Sequence, residues 1–290
     1  MSISLDGPLI GNSRIRQIAS AIIVRPGSTL SAFFLLVVAT ATLWPELITS
    51  VNPLLADPIQ AQLPPSAAHW FGTDHLGRDV FSRVVYGARY SILIGVSAIA
   101  IAAIVGSFFG LIAGLARGLI DEVISRFLDV VSSFPDLLLA LVLISFTGPG
   151  TVNLIFALGV ASVPRFARVV RAQTFVIAKS GYVEQARTFG LSRFMLVARH
   201  VLPHALAQVP ILATIGLGTT IIQAAGLSFL GMGPQPPIPE WGAMLAEARN
   251  YLRVAWWIGI WPGLTITLTV VAISILGKRW QLAFEGRRQA

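Results

Sequence analysis

Apolar and polar positions along this chain fall into long blocks, not into the short periods of a soluble fold. Six mainly apolar blocks stand out, at 29–48, 91–115, 127–146, 151–170, 205–230 and 254–277. About 20 such residues suffice for a helix to cross the hydrocarbon core of a bilayer. The blocks at 91–115, 205–230 and 254–277 carry no charge at all. The other inner blocks are interrupted, the third by Asp129, Pro135 and Asp136, the fourth by Pro164, Arg165 and Arg168. The pattern predicts an all-α integral membrane protein with six transmembrane helices. Only 12% of the 290 residues are charged, against roughly 25% in a soluble domain.

Between the blocks lie the polar segments, and their charges orient the chain. Of the 21 Lys and Arg, all but Arg78, Arg83, Arg89, Arg249 and Arg253 fall on one side if the blocks cross in turn. Excess Lys and Arg mark cytoplasmic loops, so both termini are expected in the cytoplasm. The expected organisation is a cytoplasmic tail at 1–28, a first helix at 29–48 and an external segment at 49–90. A five-helix core follows at 91–277, holding a cytoplasmic loop at 171–204, and then a cytoplasmic tail at 278–290. Arg14, Arg16 and Arg25 precede an apolar run with no small-x-small cleavage site, which reads as an uncleaved anchor. Trp44, Trp256, Trp257 and Trp280 fall near the expected boundaries, as in an aromatic belt. The net charge of +8 is accounted for by these loops and implies no nucleic acid; with no cysteine, disulfides and thiolate metal sites are excluded.

Glu184 to Pro203 is a basic island between two apolar blocks. Its length and pattern suit two helical pieces on the cytoplasmic face, where an energy-supplying partner would grip. Gly190 would let the backbone turn between the pieces. Pro203 would open the helix leading into the fifth span, where a missing N–H costs little.

Polar groups within the blocks are the other candidates. Asp129 and Asp136 are seven apart, on one face of a continuous helix. Intramembrane carboxylates are costly and point to function by default; a proton-coupled secondary transporter using this pair is the alternative reading. The simpler reading pairs Asp129 with Arg126, three residues earlier. Gln208 and Gln223 are the main polar groups of the fifth block, suited to a translocation path or to bonds between helices. Gly106, Gly110 and Gly114 stack on one face of the second span, for close packing inside the bundle or against another subunit. His200 and His204 flank Pro203 without a third ligand, so no metal site is expected. A turn is expected at 71–74, with Thr73 or Asp74 capping the segment after it. There is no P-loop motif, so this chain is not expected to bind ATP itself. Ser228 stands among glycines, but His200 and His204 lie at the far end of the same block, out of reach of a nucleophile.

The motifs carry a resemblance. Glu184-Gln185-Ala186, Gly190 and Leu202-Pro203 resemble the cytoplasmic Glu-Ala-Ala signature of ABC importer permeases, with Gln185 in place of the middle Ala. The stretch from His69 to Ser91, Gly226 to Gly231, Gln235-Pro-Pro, Trp241 to Leu245, Arg249-Asn-Tyr251 and Pro262-Gly263 are similar to the dipeptide/oligopeptide/nickel permease family. The likeness covers roughly residues 69 to 277 and points to the second permease of the pair. Ala224 departs from it where members often carry an acidic residue. The resemblance implies a type I ABC importer permease in the bacterial plasma (inner) membrane, without catalytic residues of its own. Glu184, Gln185, Ala186, Arg187, Gly190, Leu202 and Pro203 would couple it to two ATPase subunits, which bind the ATP and Mg. A second permease subunit, forming a heterodimer, and an external solute-binding protein would complete the system. The implied cargo is a dipeptide or oligopeptide, with nickel chelates, glutathione and glycosides left open.

Overall fold

The computed structural model describes residues 26–116 and 118–289, without the side chains of residues 26 and 284–289. Most of the tail at 1–28, with Arg14, Arg16 and Arg25, lies outside the described residues, as does Arg117. The described chain is helical, with one isolated antiparallel bridge between Thr73 and Asp79.

Helix α1 (Pro26–Leu43) is followed by an irregular segment, and then by the long α2 (Val80–Ala116). Two shorter helices come next, α3 (Leu119–Ser132) and α4 (Asp136–Thr147), then α5 (Thr151–Ala178). A polar hairpin holds α6 (Gly181–Thr188), α7 (Arg193–Leu196), a π-helical turn at Val197–Val201 and α8 (Leu202–Ala205). The chain ends with α9 (Val209–Phe229), the short α10 (Trp241–Ala248) and α11 (Trp257–Gln289). By length and composition, α2, α5, α9 and α11 can each cross a membrane. The expected six crossings are reached only if α1 and the bent pair α3–α4 each make one.

Several expected boundaries shift. The second helix starts at Val80, eleven residues before its uncharged block, because the Asp79 carboxylate accepts the Ser82 N–H at 2.8 Å and caps it. Asp74 caps only the turn, accepting the N–H groups of Leu76 and Arg78. The fourth helix runs on to Ala178, the fifth begins at Val209, not at 205, and the last continues through the expected tail to Gln289. Pro203 lies in the one-turn α8, and Pro210 is the proline in the first turn of the fifth span. Trp257 is buried, its indole N–H donating to the Thr73 carbonyl at 3.0 Å, so it is no belt residue. Trp44, Trp256 and Trp280 are exposed.

The third span departs most. At Ser133-Phe134-Pro135 the helix breaks, and the axes of α3 and α4 differ by 88°. Proline lacks the N–H and disfavours helical backbone before it. Asp129 and Asp136 therefore do not share one helix face.

Packing centres on α2 against α5. A Cβ built on Gly106 would lie 2.6 Å from Phe166 Cβ, one on Gly110 2.5 Å from the Ala167 carbonyl, and one on Gly114 2.6 Å from Thr174 Cβ. The three glycines serve packing within this chain, where the two backbones touch. Gly110→Leu is expected to destabilise the protein by about 1–3 kcal/mol, the usual range for overpacking. Thermal unfolding of the purified protein should show a lowered midpoint, with Gly181→Ala, which meets nothing within 4 Å, left unchanged.

Candidate functional site: a polar hairpin and two ionic clusters

The hairpin between α5 and α9 is ordered by a small apolar cluster. Val183, Leu196 and Val201 are buried, packed by Leu115, Ile177 and Ala186 from α2, α5 and α6. Its turn is made at Gly190, with φ +82° and open space around it. That left-handed conformation is what glycine adopts without strain. Ser192 then caps α7, its hydroxyl accepting the Met195 N–H at 3.3 Å. Glu184, Gln185, Arg187 and Pro203 are exposed, while Ala186 and Leu202 are half-buried. Gln185 thus points to water, where a longer side chain costs little. Among the described residues Glu184, Arg187 and Arg193 form no ion pair, so their charges are open to a partner. His204 contacts the His200 carbonyl through Nδ1 at 3.0 Å.

The apolar part of this surface was not expected from the sequence. Phe189 and Phe194 flank the turn and are 78% and 83% exposed, with Met195 beside them. On a polar hairpin, side chains this open are available to a partner surface. Their position at the turn, one residue before Gly190 and two after the capping Ser192, was the available signal.

At the opposite end a buried ionic cluster joins the segment before α2 to α10. Arg78 donates through Nε to Asp74 Oδ2 at 2.6 Å and through Nη2 to Glu247 Oε2 at 2.8 Å. Arg83 donates to the same Glu247 oxygen at 3.0 Å and lies 3.2 Å from Asp74. His75 stacks on Tyr251. Asp74, His75 and Glu247 are close enough to share a cation, but both carboxylates are already taken by guanidinium groups. At the start of α10 Glu240 is buried and caps the helix, accepting from the N–H groups of Gly242 and Ala243 and from the Ser91 hydroxyl. Burial raises its pKa, against the backbone donors that favour the carboxylate. Trp241 donates its indole N–H to the Val84 carbonyl at 2.9 Å.

The second cluster lies where α3 and α4 meet α5. Asp121 pairs with Arg171, Asp129 with Arg168 at 3.1 Å and Asp136 with Arg165 at 3.3 Å. The expected partner of Asp129 is corrected: Arg126 approaches Glu122, one turn earlier, at 3.8 Å, while Asp129 is met by Arg168 from α5. Gln208 is not in a span but in the turn before α9; Gln223 is half-buried within α9.

This architecture is that of a multi-pass membrane permease, and comparisons agree. Residues 106–289 match the family described as "binding-protein-dependent transport system inner membrane component", and the chain belongs to it. It is 43% identical over 213 residues to a glutathione transport system permease protein of Pectobacterium atrosepticum, covering 73% of this chain and 71% of that one. It is 38% identical over 252 residues to a probable D,D-dipeptide transport system permease protein of Escherichia coli, covering 87% and 85%. To a dipeptide transport system permease protein of Alkalihalophilus pseudofirmus it is 40% identical, covering 80% and 76%. A chain of the inward-facing MetNI methionine ABC transporter shares the fold, with TM-score 0.58 at 21% identity over 70% of this chain and 96% of that one. The chain is thus an ABC importer permease of the peptide-transporter family, a non-catalytic subunit of the bacterial inner membrane.

Asp74→Asn should test the buried ionic cluster. It leaves Arg78 and Arg83 with one carboxylate between them, and breaking a buried pair costs about 3–5 kcal/mol. Yield and unfolding midpoint should both fall sharply. An unfolding midpoint equal to that of wild type would show that the cluster contributes nothing to stability.

Proposed function

We propose that the chain is the translocation subunit of an ATP-driven importer of dipeptides, oligopeptides or glutathione, coupled to separate ATPases through its hairpin. It would pair with a second permease as a heterodimer, with two ATPase subunits holding ATP and Mg, and with an external solute-binding protein. The observation that carries this reading is the hairpin itself. It is packed on the ends of α2 and α5 and presents Glu184, Arg187, Arg193, Phe189 and Phe194 outward. An apolar pair ringed by charges suits insertion into a cleft on a soluble partner. ATP binding by that partner would shift a two-state equilibrium of the permease pair, and the rigid hairpin would carry the displacement. The relatives named for dipeptide and glutathione transport support the cargo class. The alternative of a proton relay through Asp129 and Asp136 is disfavoured, since each carboxylate is paired with an arginine and the helix between them is broken.

Gly190→Val forces a branched residue into left-handed backbone, and Phe194→Ala removes the most exposed aromatic of the hairpin. In the reconstituted complex each is expected to lower both uptake and stimulated ATP hydrolysis at least tenfold while the chain still inserts. Uptake and hydrolysis at wild-type rates in both variants would refute the coupling role. Orientation has its own measurement, helped by a sequence free of cysteine. In intact cells a membrane-impermeant thiol reagent should label Ile59→Cys and spare Gln185→Cys.

A further inference from the structure

The pair Asp136–Arg165 lies deep in the bundle yet stays open. At 1.5 Å per residue, Asp136 is about 17 Å along α4 from Thr147, and Arg165 is about 21 Å along α5 from Thr151. Those two ends sit level with the end of α9, because Gly150 donates its N–H to the Met232 carbonyl. Gly216, some 20 Å along α9 from Phe229, faces the pair: a Cβ there would lie 3.7 Å from Arg165 Nη1. With those ends at one surface of a 30 Å hydrocarbon core, all three helices put the pair roughly two thirds of the way across it. The neighbours of Arg165 on either side, Pro164 and Phe166, are buried, whereas the side chains of Arg165 and Asp136 are 40% and 35% exposed.

A half-open ion pair at that depth cannot face lipid cheaply, because charge in hydrocarbon costs several kcal/mol. It needs water, or a polar occupant. The pair also has capacity to spare. One contact, from Arg165 Nη2 to Asp136 Oδ2, is its only hydrogen bond among the described residues. A guanidinium carries five N–H donors and a carboxylate two acceptor oxygens, so most of both groups is uncommitted. Gly216 puts no side chain over the guanidinium from the α9 side.

We propose that Asp136 and Arg165 form a subsite on the translocation path for a cargo bearing a free ammonium and a free carboxylate. The cargo's ammonium meets Asp136 and its carboxylate meets Arg165, so the two protein charges trade each other for the passing zwitterion. The exchange breaks the Asp136–Arg165 contact to make the two cargo contacts, and re-forming that contact favours release of the cargo. Dipeptides and glutathione both carry this pair of groups; a glycoside does not. The inference rests on the reading of the chain as a peptide-class importer and adds where the permease itself recognises that class.

Two measurements on the complete reconstituted complex test it. The first is access. In nanodiscs, Arg165→Cys should react with a charged, membrane-impermeant thiosulfonate within tenfold of the rate at Gln185→Cys on the exposed hairpin. Ile104→Cys, on the exposed apolar face of α2, sets the rate for a lipid-facing position. A rate at residue 165 as slow as at residue 104 overturns the proposal. The second is transport of labelled alanyl-alanine and of glutathione by the double variant Asp136→Asn/Arg165→Gln, which keeps hydrogen bonding and removes both charges. Uptake is expected to fall at least tenfold while ATP hydrolysis stimulated by the binding protein stays within twofold of wild type. Unchanged uptake overturns the subsite, and so does an equal loss of uptake and hydrolysis, which a structural ion pair would give. If the wild-type complex imports neither solute, the cargo reading fails, and the access measurement still judges the path.

Discussion

Backbone contact between α2 and α5 is the constraint on which the rest of the molecule depends. In a bilayer, helices gain little from burying apolar side chains against one another, since lipid is equally apolar; close van der Waals packing has to hold them. Gly106, Gly110 and Gly114 remove the side chains that would keep α5 away, and Phe166, Ala167, Val170 and Thr174 fill the space. That fixes the rotation of α5 about its axis. With its glycine-facing side set, Arg165, Arg168 and Arg171 point together toward α3 and α4, where Asp136, Asp129 and Asp121 meet them. The same fixation positions the last turn of α5, Ile177 included, as one wall of the hairpin's apolar cluster.

The opposite end is held by charge. Asp74, Arg78, Arg83 and Glu247 are two acids and two bases, buried or nearly so, drawn from the segment before α2, from α2 and from α10. Such clusters add little net stability over an apolar replacement but penalise any arrangement that leaves one member unpaired. Their value here is in fixing how α10 sits against α2. Trp241 reinforces the same register by packing where Gly87 leaves room and bonding to the Val84 carbonyl.

Much of this was legible in the sequence, for identifiable reasons. Uncharged runs such as 91–115 admit no soluble reading, and the spacing of Gly106, Gly110 and Gly114 announced a close helix contact without naming its partner. Gly190 declared a turn because few other residues tolerate that backbone. What failed was long-range. Arg126 is the nearest base to Asp129 in sequence, yet the true partner, Arg168, is 39 residues on and is brought there only by tertiary packing. Pro135 was visible, but a proline states that a helix is perturbed, not that its axis turns by 88°. Trp257 read as an interface residue because a tryptophan near a span end usually is one; its partner, the Thr73 carbonyl, lies 184 residues away.

The hairpin and the deep ion pair stand on one element, and this bears on how the two could act together. Arg165 is about 20 Å from the last residue of α5 at 1.5 Å per residue, and nothing flexible intervenes in an unbroken helix from Thr151 to Ala178. Pro164 sits inside it, one residue before Arg165. Proline removes one hydrogen bond from the helix ladder and makes that turn the easiest place to bend. A displacement applied at the hairpin would therefore reach the Asp136–Arg165 contact before it is dissipated, and any bending would fall at the turn that carries Arg165. On this geometry the residues that would feel the ATPases and the residues that would meet the cargo belong to a single lever, with its weakest turn beside the charge pair.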